Sequence, residues 1–162
     1  MLIGIISDTH DQVARTTAAV ALQVAEGAER LIHCGDLTTP AVVYECGVLP
    51  SYYVFGNNDF DEDDLRRAMR AVGGTCLEQG GELTLDGRRI AVTHGDSTHE
   101  LRRLASARPD YLLSGHTHHH HDERDGPTRW INPGALHRAT AWTVALLDLE
   151  TDTLRYLEIG KG

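Results

Sequence analysis

Five times along this chain, a short apolar run gives way to a small residue or glycine and then to side chains of the kind that ligate metals. Leu2–Ile6 leads to Asp8 and His10, Leu31–Cys34 to Gly35-Asp36, and Tyr52–Phe55 to Gly56-Asn57-Asn58-Asp59. Ile90–Thr93 leads to His94-Gly95, and Tyr111–Ser114 to Gly115-His116-Thr117-His118. Short continuous apolar runs mark strands buried on both faces. In open α/β sheets, binding groups collect outside the carboxyl ends of such strands. The pattern predicts one sheet edge furnished with Asp, His and Asn from five loops, and with it a polynuclear metal site.

The segments between these runs set the architecture. Val13, Thr16, Ala19, Val20, Gln23 and Val24 recur near helical spacing and predict a helix over 12–26. Pro40–Cys46 reads as a short helix with proline in its first turn. Residues 61–72 read as a helix with acids first and Arg66, Arg67 and Arg70 later, the order the helix dipole favours. Asp86-Gly87 is a hairpin signal between Leu83–Leu85 and Arg88–Thr93. A helix is expected over 100–106, and strands over 111–114, 119–124, 129–132, 141–149 and 153–159. Gly73-Gly74 and Gly80-Gly81 read as loop punctuation. A βαβ start implies parallel pairing and the later hairpins imply antiparallel pairing. The expected fold is therefore α/β, with two mixed sheets face to face and helices outside. No repeat or linker divides the 162 residues, so one domain over 1–162 is expected.

Composition bounds the setting. No apolar stretch approaches the roughly 18 residues of a membrane span, and the first residues enter a strand without a basic leader. Three cysteines cannot all pair, and none lies in a CxxC, so a reducing cytoplasm is the expected setting. A formal charge of −9 argues against general nucleic-acid binding or an anionic membrane surface. Exposed edges of mixed sheets could pair, which makes a homodimer possible.

Residues two apart in an extended segment point to the same side. Asp8 with His10, and His116 with His118, are accordingly expected to aim as pairs. Asp36 has two oxygens and can bridge two ions; Asn57 offers a carbonyl and His94 an imidazole. Oxygen and nitrogen donors without thiolate suit Mn, Fe, Co, Ni or Zn. Against two divalent ions, the two carboxylates leave an excess of about two positive charges. That excess holds a bridging hydroxide and a phosphate-type anion. Two ions roughly 3.5–4 Å apart clamp the attacking and leaving oxygens of an in-line displacement. The residues point to phosphoester hydrolysis.

In order and without large insertion, these five blocks, with Asn132-Pro133-Gly134 after them, resemble the signature of calcineurin-like metallophosphoesterases. The small prokaryotic phosphodiesterase branch, related to the retromer scaffold subunit, is the nearest resemblance. It implies a four-layer α/β/β/α sandwich and two divalent ions, manganese first, with nickel, cobalt, iron or zinc as alternatives. It also implies that Asp8, His10, Asp36 and His118 hold one ion, and that Asp36, Asn57, His94 and His116 hold the other. Many members carry histidine where this chain has Asn58. An amide donates a hydrogen bond but transfers no proton at pH 7, so leaving-group assistance is expected to be weak. Asn58 and Asp59 are the candidate residues beside the reacting phosphate. Asp59 orients the site from behind the ligands.

Several residues carry plainer expectations. Asp8 alone would read as a helix cap, and Asp36 and Asn57 as turn residues; the ensemble reverses that. His33 reads as a satisfied core histidine, Cys34 as a small buried hydrophobe, and His119, His120 and His121 as a solvated strand face. Asp59–Asp64 reads mainly as first-turn acids. His99, His137 and Arg138 are further candidates to approach a substrate. The function expected is a phosphodiesterase acting on a small or activated ester. The alternatives are a phosphomonoesterase with the same site and a catalytically weak scaffold of the same fold.

Overall fold

The computed structural model describes residues 1–160, so the last two positions of the expected 1–162 domain lie outside the described residues. The first half alternates β1 (Leu2–Ile6), α1 (Val13–Ala25), β2 (Arg30–His33), α2 (Pro40–Cys46), β3 (Ser51–Tyr53), α3 (Glu62–Ala71) and β4 (Thr75–Cys76). The second half runs β5 (Gly80–Leu85), β6 (Arg88–Thr93), α4 (Thr98–Ser106), β7 (Tyr111–Leu113), β8 (His121–Asp125), β9 (Thr128–Asn132), β10 (Thr143–Asp148) and β11 (Thr153–Glu158). One sheet has the order β11-β10-β1-β2-β3-β4, and the other β5-β6-β7-β9-β8. Strands β1 to β4 pair in parallel, as do β6-β7 and β7-β9; the remaining ladders are antiparallel. Both sheets are mixed, as the sequence predicts.

Strand alternation builds the layers. Ile3 and Ile5 of β1, Ile90 and Val92 of β6, Tyr111 and Leu113 of β7, and Ala145 and Leu147 of β10 meet between the sheets. The intervening Ile6 and Val144 pack instead with Ala19, Val20, Val42, Val43, Leu65 and Met69 of α1, α2 and α3. On the far side, Ala91 and Leu112 pack with Leu104 of α4. The order is helices, sheet, sheet, helix.

Three details depart from the sequence reading. Strand β4, two residues long, is too short to carry a pattern. Gly80 and Gly81 are not loop: they open β5 and pair with Thr93 and Val92. The Gly80 backbone lies against Glu100 and Leu104 of α4. His119 and His120 precede β8, which begins at His121.

Candidate metal centre

The five parallel strands β1, β2, β3, β6 and β7 end on one side of the sandwich, and each is followed by a loop bearing proposed ligands. Two tight groups form there: Asp8, His10 and His118, and Asp8, Asp36 and His94. Nε2 of His118 lies 3.1 Å from Asp8 Oδ1, and Nε2 of His94 lies 3.8 Å from the same oxygen. Asp36 Oδ2 stands between His10 Nε2 at 3.5 Å and His94 Nε2 at 3.4 Å. Each carboxylate thus faces histidines of both groups. Asn57 and His116 are exposed and line the same cleft of about 310 Å³, with Asn58, His137 and Arg138. The His116 ring stands 5.1 Å from that of His94.

The convergence does not arise from extended backbone, as the sequence reading supposed. Asp8 and His10 have φ of 50° and 46°, Asp36 59°, and His116 and His118 71° and 61°. Eleven described non-glycine residues have positive φ, and these five are among them. Left-handed turns fold the loops after β1, β2 and β7 back over their strand ends. They also separate His116 from His118: His118 joins Asp8 and His10, while His116 stays beside His94. Such conformations cost on the order of 1–3 kcal/mol each and collect at functional sites.

The ligands are held from behind. Asp8 Oδ2 accepts from Ser7 Oγ at 2.6 Å and from the His116 N–H at 3.0 Å, which leaves Oδ1 aimed at the histidines. Gly115 closes this cradle, since a Cβ there would fall 1.9 Å from Ser7 Oγ and 2.5 Å from Asp8 Oδ2. His94 Nδ1 lies 2.8 Å from the Cys34 carbonyl and His118 Nδ1 lies 3.3 Å from the Arg138 carbonyl. A proton on Nδ1 satisfies each carbonyl and frees Nε2 for a cation. Asp36 accepts from the Asn58 N–H at 2.9 Å and from Asn58 Nδ2 at 2.8 Å. The Asn58 side chain therefore steadies a ligand, a link that residue type alone did not reveal.

Asp59 is a backbone clamp. Its buried carboxylate accepts from the N–H groups of Gly56, Asp36 and Thr38 at 2.7–2.9 Å, tying the loop after β3 to the loop after β2. It is not among the side chains lining the cleft. His33 plays a comparable part: its Nδ1 accepts from the Gly35 N–H and its Nε2 faces Thr9 Oγ1 at 3.0 Å. Burial pushes its pKa down to about 3 and keeps it neutral. Asp8 is no helix cap, because α1 is capped at Gln12 without a side-chain bond. His137 and Arg138 line the cleft, whereas His99 is exposed on α4 over the outer face of the second sheet. His119, His120 and His121 are exposed, and His121 pairs with Glu123.

The donor set fits divalent ions on an independent observation. Asp8 Oδ1, His10 Nε2 and His94 Nε2 are buried without a hydrogen-bond partner, and all three point into this one site. Buried polar atoms are otherwise almost always paired, so three together mark a place for cations. Burial alone would lower the His94 pKa, yet contact with Asp36 and the charges of Asp8 and Asp36 carry it to about 9. Burial raises the Asp36 and Asp8 values, but the surrounding histidines and hydrogen bonds outweigh it and hold both carboxyls low.

At neutral pH the metal-free site accordingly holds a proton on His94, which a cation must displace. The raised pKa contributes stability to the metal-free protein that is full below about 6.5 and lost as pH rises through about 9. Apparent metal affinity is expected to climb with pH up to about 9 and level off above it. Calorimetric titration with Mn²⁺ at pH 6.5, 7.5 and 9 checks this. A pH-independent affinity would remove His94 from the ligand set.

The chain matches the sequence profile of the calcineurin-like phosphoesterase superfamily domain over residues 1–152, and it belongs to that family. Among curated proteins it is 28% identical to phosphodiesterase MJ0936 of Methanocaldococcus jannaschii, over 98% of each chain. It is 30% identical to a probable metallophosphoesterase of Methanothermobacter thermautotrophicus, over 95% of this chain and 89% of that one. The solved structure of an archaeal phosphodiesterase superposes with a TM-score of 0.89 at 28% identity, covering 98% of this chain and 99% of that one. Vps29 of Entamoeba histolytica shares the fold, at a TM-score of 0.64 and 16% identity over 99% of this chain and all of the other. The α/β/β/α architecture and the metallophosphoesterase class follow. Among the described residues no helix is long and apolar enough to cross a membrane.

Proposed function

We propose that this chain is a phosphodiesterase in which two divalent cations, manganese first, are held by Asp8, His10, Asp36, Asn57, His94, His116 and His118. The observation that carries the reading is the convergence of three buried ligand atoms that lack a hydrogen bond where five strand ends meet. When bound, the ions supply Lewis acidity toward phosphoryl oxygens and lower the pKa of coordinated water toward neutrality. The chain does the rest. Ser7 and the His116 amide fix Asp8, Asn58 fixes Asp36, and Asp59 locks the two loops together. Asn58 gives the site hydrogen bonds but no proton, so the departing oxygen leaves without acid from that position.

Arg138 is the one lysine or arginine lining the cleft among the described residues. Apart from the ions, the cleft thus brings a single fixed cation to the substrate. That suits the single negative charge of a diester better than a monoester dianion. The relative named as a phosphodiesterase, matched nearly end to end, supports the same reading. A scaffold has no chemical need for the complete ligand set that this chain retains. With Mn²⁺ present, bis(p-nitrophenyl) phosphate is expected to turn over faster than p-nitrophenyl phosphate at pH 7–8. The reverse preference would make the protein a phosphomonoesterase, and inactivity toward both at full metal occupancy would favour the scaffold.

A further inference from the structure

Beside the metal cleft lies a second hollow of about 410 Å³, formed by His10, Asp11, Thr38, Asn58, Phe60, Asp61 and His137. It shares His10, Asn58 and His137 with the cleft, so a group bound to a phosphate in one extends naturally into the other. Phe60 is 86% exposed, against 65% for Val48, the next most exposed large hydrophobic side chain among the described residues. Isolated exposed apolar side chains are ordinary. This one differs in its setting. The residue before it, Asp59, is tied to three backbone amides, and the residue after it, Asp61, caps α3 by accepting from the Asp64 N–H at 3.0 Å. The ring is presented to solvent from backbone fixed on both sides, beside the site where a phosphoester would sit.

From this we infer that Phe60 is a stacking platform for one ester arm of the substrate, and that this arm carries a planar aromatic ring, either a nucleobase or an aryl group. The inference rests on the phosphoester reading above and specifies its substrate class. An aromatic ring with only two side-chain torsions, carried on fixed backbone, loses little freedom when a ring is laid on it, and stacking tolerates any flat π-surface. The other charged side chains in the hollow reinforce the choice. Asp11 and Asp61 repel a second phosphate and accept hydrogen bonds from the amino edge of a base. No lysine or arginine among the described residues lines this hollow to receive an anion.

The test is direct binding to the Mn²⁺-loaded protein, independent of turnover. Three probes are compared: methyl phosphate, phenyl phosphate and adenosine 5′-monophosphate. Phe60 lies on the surface, so Phe60→Ala leaves the fold intact. It is expected to weaken both aromatic probes by roughly 5- to 150-fold, the usual worth of a stacked base. Methyl phosphate binding should be unchanged, and Phe60→Trp should restore the aromatic preference. Equal tightening of phenyl phosphate and the nucleotide over methyl phosphate assigns an aryl platform, and a larger gain for the nucleotide assigns a base with contacts at Asp11 or Asp61. Methyl phosphate bound without any aromatic preference, or a preference insensitive to Phe60→Ala, would overturn the stacking proposal alone. Failure of all three probes to bind, with bis(p-nitrophenyl) phosphate also left intact by the loaded wild type, would overturn the phosphoester site and the stacking proposal together; the same failure with that diester hydrolysed would overturn the stacking proposal alone.

Discussion

Asp36→Asn is expected to abolish phosphodiester hydrolysis and to lower the number of metal ions bound. Asp36 Oδ2 stands between His10 and His94, within 3.5 Å of both, so the substitution strikes the point where the two ligand groups meet. It also removes one of only two carboxylate charges among the seven proposed ligands. Loss of an outer group that merely supports a ligand costs about 10–100-fold, so loss of this carboxylate should exceed ~100-fold in turnover. His33→Gln is the control from the same sheet edge. It disturbs a buried, doubly bonded side chain two residues before Gly35. That change should lower stability by about 1–3 kcal/mol while leaving turnover of the folded, loaded protein within a few-fold. Metal analysis and kinetics on both variants decide the matter. An Asp36→Asn protein with two ions and near-normal turnover would refute the bridging role.

The second large effect concerns the leaving group. Asn58 donates both its amide groups to Asp36, and no acid occupies its position. The rate should therefore fall steeply as leaving-group pKa rises, with aryl diesters far ahead of simple alkyl diesters. A well-placed general acid contributes typically about 10²–10⁴-fold. Asn58→His should recover part of that for alkyl esters and flatten the dependence. The comparison must be made at equal metal occupancy, because the variant loses a hydrogen bond to Asp36 and gains an imidazole that can itself capture an ion. Single-turnover rates separate bond cleavage from later steps. Indifference to leaving-group pKa in a single turnover would mean that another group protonates the departing oxygen. His137, whose ring centre lies 4.2 Å from that of His10 in the cleft, is then the side chain to replace.

Most of the fold and all seven proposed ligands are legible as sequence because both rest on local pattern. Apolar runs ending in Asp, Asn or His mark the strand ends, and helix α2 has the predicted bounds because Pro40 fixes its start. The residues missed are those whose role depends on distant partners. Gly80 looks like a loop residue until α4 is seen to pack over it. Asp59 is legible as a residue that orients the ligands, but its partners, the amides of Gly56, Asp36 and Thr38, are not. Alternation could not foresee how the histidines divide, because it assumes extended backbone where the loops turn left-handed. His99, His137 and Arg138 were equivalent candidates by residue type; only topology puts His99 on α4 and the other two in the cleft.

The central claim is that two cations at this cleft are required for phosphodiester hydrolysis. Stripping the protein with a chelator and returning Mn²⁺ in sub-stoichiometric steps, with bound metal and single-turnover hydrolysis of bis(p-nitrophenyl) phosphate followed together, tests it most directly. The stripped protein should be inactive, binding should saturate at two ions per chain, and hydrolysis should be complete only with the second. Hydrolysis at an unchanged rate by fully stripped protein, or full activity with a single ion bound, would contradict the account.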